Sequence, residues 1–286
     1  MKLSQRVVSY LQVAPLALVM LVFLGIPAVM ILTVSFFDYD EFDLIPRFIF
    51  GNYVELIESG LTYSLYWSTI KFAVMVWVLT LVIGFTASYF LVFHVRALFW
   101  KIALFLVCTV PFWTSNIIRM ISWIPVLGRE GLVNKSLMFL GIIDQPLEFL
   151  LFSNFAVVLA YVHLYTLFMV VTLFNSMARI DPAVIEAAVD AGASRWQVIT
   201  QIVIPLSKTG IALGSIFVIA LVMGDFFVVR IMSGGQSASV VLAMYNEIAL
   251  LQYPPAAASA VVLVIIVSLM VWGILRIVDV RKELSN

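Results

Sequence analysis

A chain of 286 residues that is 64% hydrophobic and only 11% charged, with a mean hydropathy of +1.13, has too little polar surface for a water-soluble enzyme and too much apolar surface for a disordered one. Its 16 basic residues balance its 16 acidic ones, so no basic face for nucleic acid is implied, and the single cysteine, Cys108, excludes an internal disulfide or a multi-cysteine metal site. A polytopic membrane protein is what remains.

A bilayer-spanning helix needs about 20 apolar residues. Six windows meet or approach that length: 14–37, 72–93, 102–118, 149–178, 209–224 running on through Asp225 to about 232, and 248–275. The first window is longer than the apolar run of a cleavable signal and no small-residue cleavage site follows it, so it reads as a signal anchor. Six spans put both termini on one side. With that side inside, the inner segments hold Lys2, Arg6, Arg96, Lys101, Arg179, Arg195, Lys208, Arg276, Arg281 and Lys282, and the outer loops only Arg47, Arg129 and Lys135. Ten against three places both termini in the cytoplasm.

Between the first two spans lies an acidic outer loop, about 38–66, with Asp38, Asp40, Glu41, Asp43, Glu55 and Glu58 and the breakers Pro46 and Gly51. A short basic inner turn covers 94–101, and an outer excursion at 125–148 contains a short surface helix at LVNKSLMFLG. The inner segment 179–208, RIDPAVIEAAVDAGASRWQVITQIVIPLSK, is more ordered than a loop needs to be. Asp181 then Pro182 is a helix start, with an N-cap and a proline at the first helical position. Ile185, Ala188 and Val189 share a helical face. Gly192 permits a left-handed helix end, Ser194 caps a second helix, and Pro205 ends that helix before the fifth span. A helix–turn–helix between spans is a docking surface and, with a buried face, a stiff lever.

That segment carries a resemblance. Glu186-Ala187-Ala188, Gly192 after three residues, and Ile202-x-Ile204-Pro205 after nine more resemble the EAA loop of ABC-importer permeases, with Ile204 where the family prefers Leu. The run VPFWTSNIIRMISW from Val110 to Trp123 looks like a stretch of the spermidine/putrescine permease subfamily, and ALVMGDFFVV at 220–229 resembles the segment that follows the EAA loop there. The resemblance implies an all-α, type I ABC-importer permease fold in the bacterial inner membrane. Residues 1–65 would hold the first helix and the acidic periplasmic loop, 66–276 the permease core with the coupling loop at 179–208, and 277–286 a short cytoplasmic tail. It implies partners: a second permease chain, two ATPase subunits and a periplasmic substrate-binding protein. It assigns ATPase coupling to Glu186, Ala187, Ala188, Gly192, Ala193, Arg195 and Pro205. No covalent chemistry is expected of this chain, and ATP and magnesium belong to the partner ATPase. The chain itself has no G-x-x-x-x-G-K-[ST] loop, and Ser233-Gly234-Gly235-Gln236, which looks like an ATPase signature, reads as a turn.

The pathway is read from polar groups inside spans. Asp225 is the only acid within a span region, and an ionised group at a helix centre costs roughly 2.5–3.5 kcal/mol on insertion scales unless it is paired or hydrated. It pairs with Arg119 or Arg230, of which Arg119 is better spaced, or it meets a cationic cargo, or both. Trp113, Trp123, Tyr89, Tyr161 and Tyr165 are candidate walls, since aromatic faces attract ammonium groups, with interfacial belts and helix packing as the other reading of each. His163 serves a packing hydrogen bond or the pathway, and His94 reads as a satisfied interfacial residue at an inner helix end. The cargo reading is a polyamine. An opine or amino-acid derivative in the same importer class is the alternative, followed by a secondary transporter, for which paired interrupted helices are missing from the sequence.

Overall fold

The structure is a computed structural model and describes residues 5–40 and 43–278. Lys2, Glu41, Arg281, Lys282 and the tail beyond residue 278 lie outside the described residues. Packing divides the chain into two compact units, Met1–Tyr63 with Ala243–Ile265, and Ser64–Leu242 with Ile266–Asn286.

In the first unit, α1 (Gln5–Met20) runs into α2 (Ile26–Val34) through a wide turn at Leu21–Gly25, closed by the Ile26 N–H on the Leu21 carbonyl. Pro27 follows directly. A proline ring clashes with the carbonyl four residues earlier, and the widened turn relieves that clash without ending the helix. The side chains described from Gln12 to Val34 are lipid-type and almost wholly unburied. The acidic loop holds more order than its breakers foretell. Strands β1 (Asp38–Tyr39) and β2 (Leu44–Ile45) pair antiparallel, a small departure from an all-α chain. Helix α3 (Gly51–Glu58) follows. Asn52 is buried and ties the loop down, its Nδ2 donating to the Ser35 and Phe37 carbonyls at 3.0 and 2.9 Å. Helix α15 (Val240–Ala249) ends and α16 (Tyr253–Ile277) begins in the segment that joins this unit.

The second unit is built on three long helices. Helix α4 (Gly60–Tyr89) starts twelve residues before the charge-free window at 72, because Lys71 is accommodated: its Nζ lies 5.3 Å over the Trp67 ring while its stem follows the helix. Helix α9 (Asn154–Met177) is capped by Ser153, whose hydroxyl accepts from the Ala156 N–H. Helix α13 (Lys208–Met223) runs antiparallel to α9 and packs closely on it. Gly210 and Gly214 make that approach possible: a Cβ at Gly210 would lie 2.7 Å from the Thr172 carbonyl oxygen, and one at Gly214 2.5 Å from Thr172 Oγ1. This Gly-x-x-x-Gly pair is the small-residue device by which apolar helices associate in lipid. Helix α4 joins them through the Ser88 hydroxyl on the Val170 carbonyl at 3.0 Å and the Trp77 indole N–H on Ser215 Oγ at 2.7 Å.

Between α4 and α9, the third expected span is not one straight helix. Helix α5 (Leu98–Thr109) tightens into a 3-10 turn at Val110–Trp113, and α6 (Asn116–Ile121) restarts after Thr114-Ser115. The two stretches, Leu98–Trp113 and Asn116–Phe139, are bent by 96°. Pro111 withholds an N–H inside the span, and Ser115 caps the new start by accepting from the Ile117 N–H. Helices α7 (Ile124–Leu127) and α8 (Leu132–Phe139) complete the excursion. The expected surface helix is thus present. Asn134 is fully buried and exchanges hydrogen bonds with Leu147 and the Gly128 carbonyl, so it clamps the loop.

After α9 the chain forms α10 (Pro182–Asp190), α11 (Arg195–Val198), a wide turn at Ile199–Val203 like that at Leu21–Gly25, and α12 (Ile204–Leu206) before α13. The expected stop at Pro205 is corrected: the wide turn again absorbs the proline, and the direction changes two residues later, by 69° between Arg195–Leu206 and Lys208–Met223. A second correction concerns the fifth span. It does not run through Asp225. Helix α13 ends at Met223, and α14 (Phe227–Met232) begins anew. Among the described residues four helices are long and apolar enough to cross a membrane, and six if each bent pair is one span.

Candidate functional site

The segment 181–206 is assembled from local signals. Asp181 accepts from the Ala183 N–H at 2.9 Å, and Pro182 sits at the first helical turn, where its missing N–H costs nothing. Helix α10 ends at Gly192, whose φ is +86°, with the Gly192 N–H on the Val189 carbonyl and the Ala193 N–H on the Ala188 carbonyl. That is a left-handed helix end which only glycine adopts without strain. Ser194 and Gln197 then close a reciprocal capping box at the start of α11. Glu186 and Ala187 are exposed on α10, Ala188 and Ala193 are partly covered, and Arg195 is exposed at the first position of α11. The expected buried face is corrected: no residue of α10 is buried, and Val184, Val189 and Trp196 present 44%, 57% and 72% of their surface. Ile185 and Ala188, which share a face with Val189, are half-buried.

The break after α13 builds the second constellation. Gly224 closes α13, and the Asp225 carboxylate turns back to accept from the Val228 N–H at 2.8 Å, so it starts α14 while facing α9. One turn apart on α9, Tyr161 and Tyr165 aim their hydroxyls at it. Tyr161 donates to Oδ1 at 3.4 Å and Tyr165 to Oδ2 at 3.3 Å, and their rings stack at 5.8 Å. Both tyrosines are buried. Beside them is a cavity of about 370 Å³, whose wall includes Asp225, Tyr165, Phe112, Phe168, Asn116 and Arg119. Arg119 is buried on α6, donates from Nη2 to Asn116 Oδ1, and lies 5.9 Å from the Phe112 ring centre. No ion pair joins it to Asp225 among the described residues. Among the described residues, the hydrogen bonds to the Asp225 carboxylate come from neutral donors.

Asp225, Tyr161 and Tyr165 are therefore brought together, and three other aromatic candidates are not. Trp113 is 80% exposed at the end of the 3-10 turn. Trp123 donates its indole N–H to His163 Nδ1 at 3.0 Å, which gives His163 its partner. Tyr89 lies at the C-terminal end of α4 among Phe85, Phe93 and His94. The wall residues Phe112, Asn116 and Phe168 were missed from sequence. Asn116 and Arg119 are three apart, one helical turn, and that polar pair inside an apolar stretch was the available signal. The Ser233–Gln236 stretch is a turn, with Gly234 and Gly235 at φ +57° and +83°.

Comparisons with known proteins agree on kind. The family described as binding-protein-dependent transport system inner membrane component matches residues 103–283. The spermidine/putrescine transport system permease protein PotB of Escherichia coli (strain K12) is 32% identical over 276 residues, covering 93% of this chain and 97% of that one. The protein of the same description from Haemophilus influenzae is 30% identical over 216 residues, 75% of this chain and 74% of that one. In fold, the chain is similar to one in the crystal structure of a bacterial alginate ABC transporter in complex with alginate pentasaccharide-bound periplasmic protein, with a TM-score of 0.73 at 18% identity, covering 93% of this chain and 92% of that one. The EAA-type segment, the interrupted helices and these matches have one reading: the chain belongs to the family of inner membrane components of binding-protein-dependent transport systems.

Proposed function

We propose that this chain is one permease subunit of an ATP-driven, binding-protein-dependent importer and that its cargo is a polyamine of the spermidine/putrescine kind. It crosses the membrane six times, with the bent pairs counted as single spans and both termini cytoplasmic. The ten-to-three distribution of Lys and Arg supports that orientation. It works beside a second permease chain, above two ATPase subunits that bind ATP and magnesium, and below a periplasmic protein that delivers cargo. It makes no covalent chemistry of its own.

In this reading α10 is the coupling helix. Its exposed apolar face and Glu186 fit a groove on the ATPase, and the capped turn at Gly192-Ser194 transmits the push of ATP-driven closure as a rigid body. The wide turn and the 69° bend before α13 aim that push along the helix that ends at Met223, two residues before Asp225.

The observation that carries the cargo reading is a carboxylate solvated by two phenolic hydroxyls beside a cavity with aromatic walls. A carboxylate held only by neutral donors has no cation of its own, so an ammonium group can supply one, and aromatic faces add about 0.5–2 kcal/mol each. The curated relatives named for spermidine/putrescine transport support the same class. Uptake of radiolabelled putrescine and spermidine by the full importer tests it. Asp225→Asn is expected to reduce uptake several-fold while the complex still assembles. Unchanged uptake at equal expression would remove Asp225 from the path and the cationic cargo with it. The break between α13 and α14 resembles the discontinuous helices of gradient-driven carriers. Uptake that persists when the ATPase is blocked would favour that second reading.

A further inference from the structure

The cavity beside Asp225 contains more charge than a polyamine path needs. Arg119 lines the same wall, is 7% exposed, and spends one nitrogen on Asn116. Among the described residues its buried Nε has no hydrogen-bond partner. No acid pairs with it among the described residues, and Asp225 is solvated by neutral groups instead. An acid and a guanidinium thus face one cavity of about 370 Å³ without being used on each other. A guanidinium left under-bonded in an apolar wall, among Phe112, Leu164 and Phe168, is costly unless an acceptor visits it. Its planar fork suits a carboxylate above other acceptors.

We propose that the Arg119–Asn116 end of this cavity is a second subsite that takes a carboxylate, so that the permease carries ω-amino carboxylates in addition to polyamines. The ammonium of such a solute sits on Asp225 between the aromatic walls, its methylene chain fills the middle, and its carboxylate meets Arg119, with the Asn116 amide beside it. A diamine is held at one end only, since Arg119 repels its second ammonium. The proposal rests on the reading of Asp225 as the ammonium site.

The test uses the assembled complex of this chain with its partner permease and ATPase subunits in lipid nanodiscs, without the binding protein, so that cargo selection upstream is absent. Displacement of radiolabelled putrescine is measured with 5-aminovalerate and with n-pentylamine, which has the same ammonium and chain length but no carboxylate. The wild-type complex is expected to bind 5-aminovalerate about tenfold or more tightly than n-pentylamine, the scale of one charge-assisted hydrogen-bonded pair. Arg119→Gln is expected to erase that preference and Arg119→Lys to keep part of it. Equal binding of the two probes by wild type overturns the subsite, and so does a preference that persists in Arg119→Gln. The wild-type comparison needs no variant to fold. Asp225→Asn separates the layers. If it weakens both probes while wild type shows no preference, only the Arg119 subsite falls. If it leaves both unchanged, or if neither probe binds wild type, the ammonium site falls and this proposal with it.

Discussion

The coupling segment and the Asp225 cavity are both built at the end of a helix, yet they are built in opposite ways. From Asp181 to Gln197 every structural device is made by residues within five positions of each other: an N-cap, a proline at the first turn, a left-handed glycine and a capping box. The cavity draws on residues from 112 to 225, on three helices, a 3-10 turn and the Gly224-Asp225 link, and no two of its charged or phenolic groups from different elements are near in sequence. One region is a stiff object that needs little from the rest of the chain. The other exists only because α9 and α13 approach closely enough for Tyr161 and Tyr165 to reach Asp225. The contrast fits their proposed tasks, since a lever must keep its shape and a transport site must be taken apart and remade as helices move.

Substitutions that attack one region and spare the other sharpen this contrast. The largest effect is expected at Gly210, which does not line the Asp225 cavity but shares another cavity with Asp181 and Leu206 of the coupling segment. A valine Cβ there would press on the Thr172 backbone carbonyl at 2.7 Å, and backbone cannot step aside as a side chain can. Overpacking of about 3 kcal/mol is expected to separate α9 from α13 and remove the cavity. The amount of complex surviving heat treatment in detergent checks this, and wild-type survival would show that the helices tolerate a wider spacing.

Gly192→Val is next. Nothing lies within 4 Å of the added Cβ, so the cost is the positive φ alone, about 1–3 kcal/mol. The expected outcome is normal assembly of the spans with loss of coupled transport, read as putrescine uptake and as stimulation of ATP hydrolysis by the loaded binding protein. Gly192→Ala is expected to fall between. Ser194→Ala is the mildest, removing one half of the capping box for about 1 kcal/mol. It should lower the stimulated rate partially, and hydrogen exchange at the Gln197 amide should rise. No change in that exchange would mean that the box does not hold the turn.

These local features are also the ones that the sequence disclosed. Asp181-Pro182, Gly192 and Ser194 announce their geometry because capping and left-handed turns depend on a residue and its immediate neighbours. The elements that were misread depend on neighbours far away. An unbroken fifth span through Asp225 looked reasonable by hydropathy. It fails because Gly224 ends the helix and the carboxylate prefers the Val228 N–H and two distant hydroxyls. Pro205 looked like a stop, and a widened turn absorbs it, as another does before Pro27. Lys71 looked like a boundary, and a tryptophan one turn earlier lets α4 continue through it. Arg119 was the favoured ion-pair partner for Asp225, and the 96° bend before α6 leaves it bonded to Asn116 instead. Hydropathy sees composition along the chain, whereas each of these outcomes was decided by a partner or by backbone geometry.

The central claim is that the two regions do separate jobs in one cycle, and a crossed measurement tests it most directly. Putrescine uptake and binding-protein-stimulated ATP hydrolysis are measured in the same proteoliposomes containing the full importer, with wild type, Gly192→Val and Asp225→Asn. Gly192→Val is expected to lose both activities. Asp225→Asn is expected to keep stimulated hydrolysis and lose uptake several-fold. Uptake and hydrolysis falling in equal proportion in Asp225→Asn, or normal values of both in Gly192→Val, would contradict the division of labour.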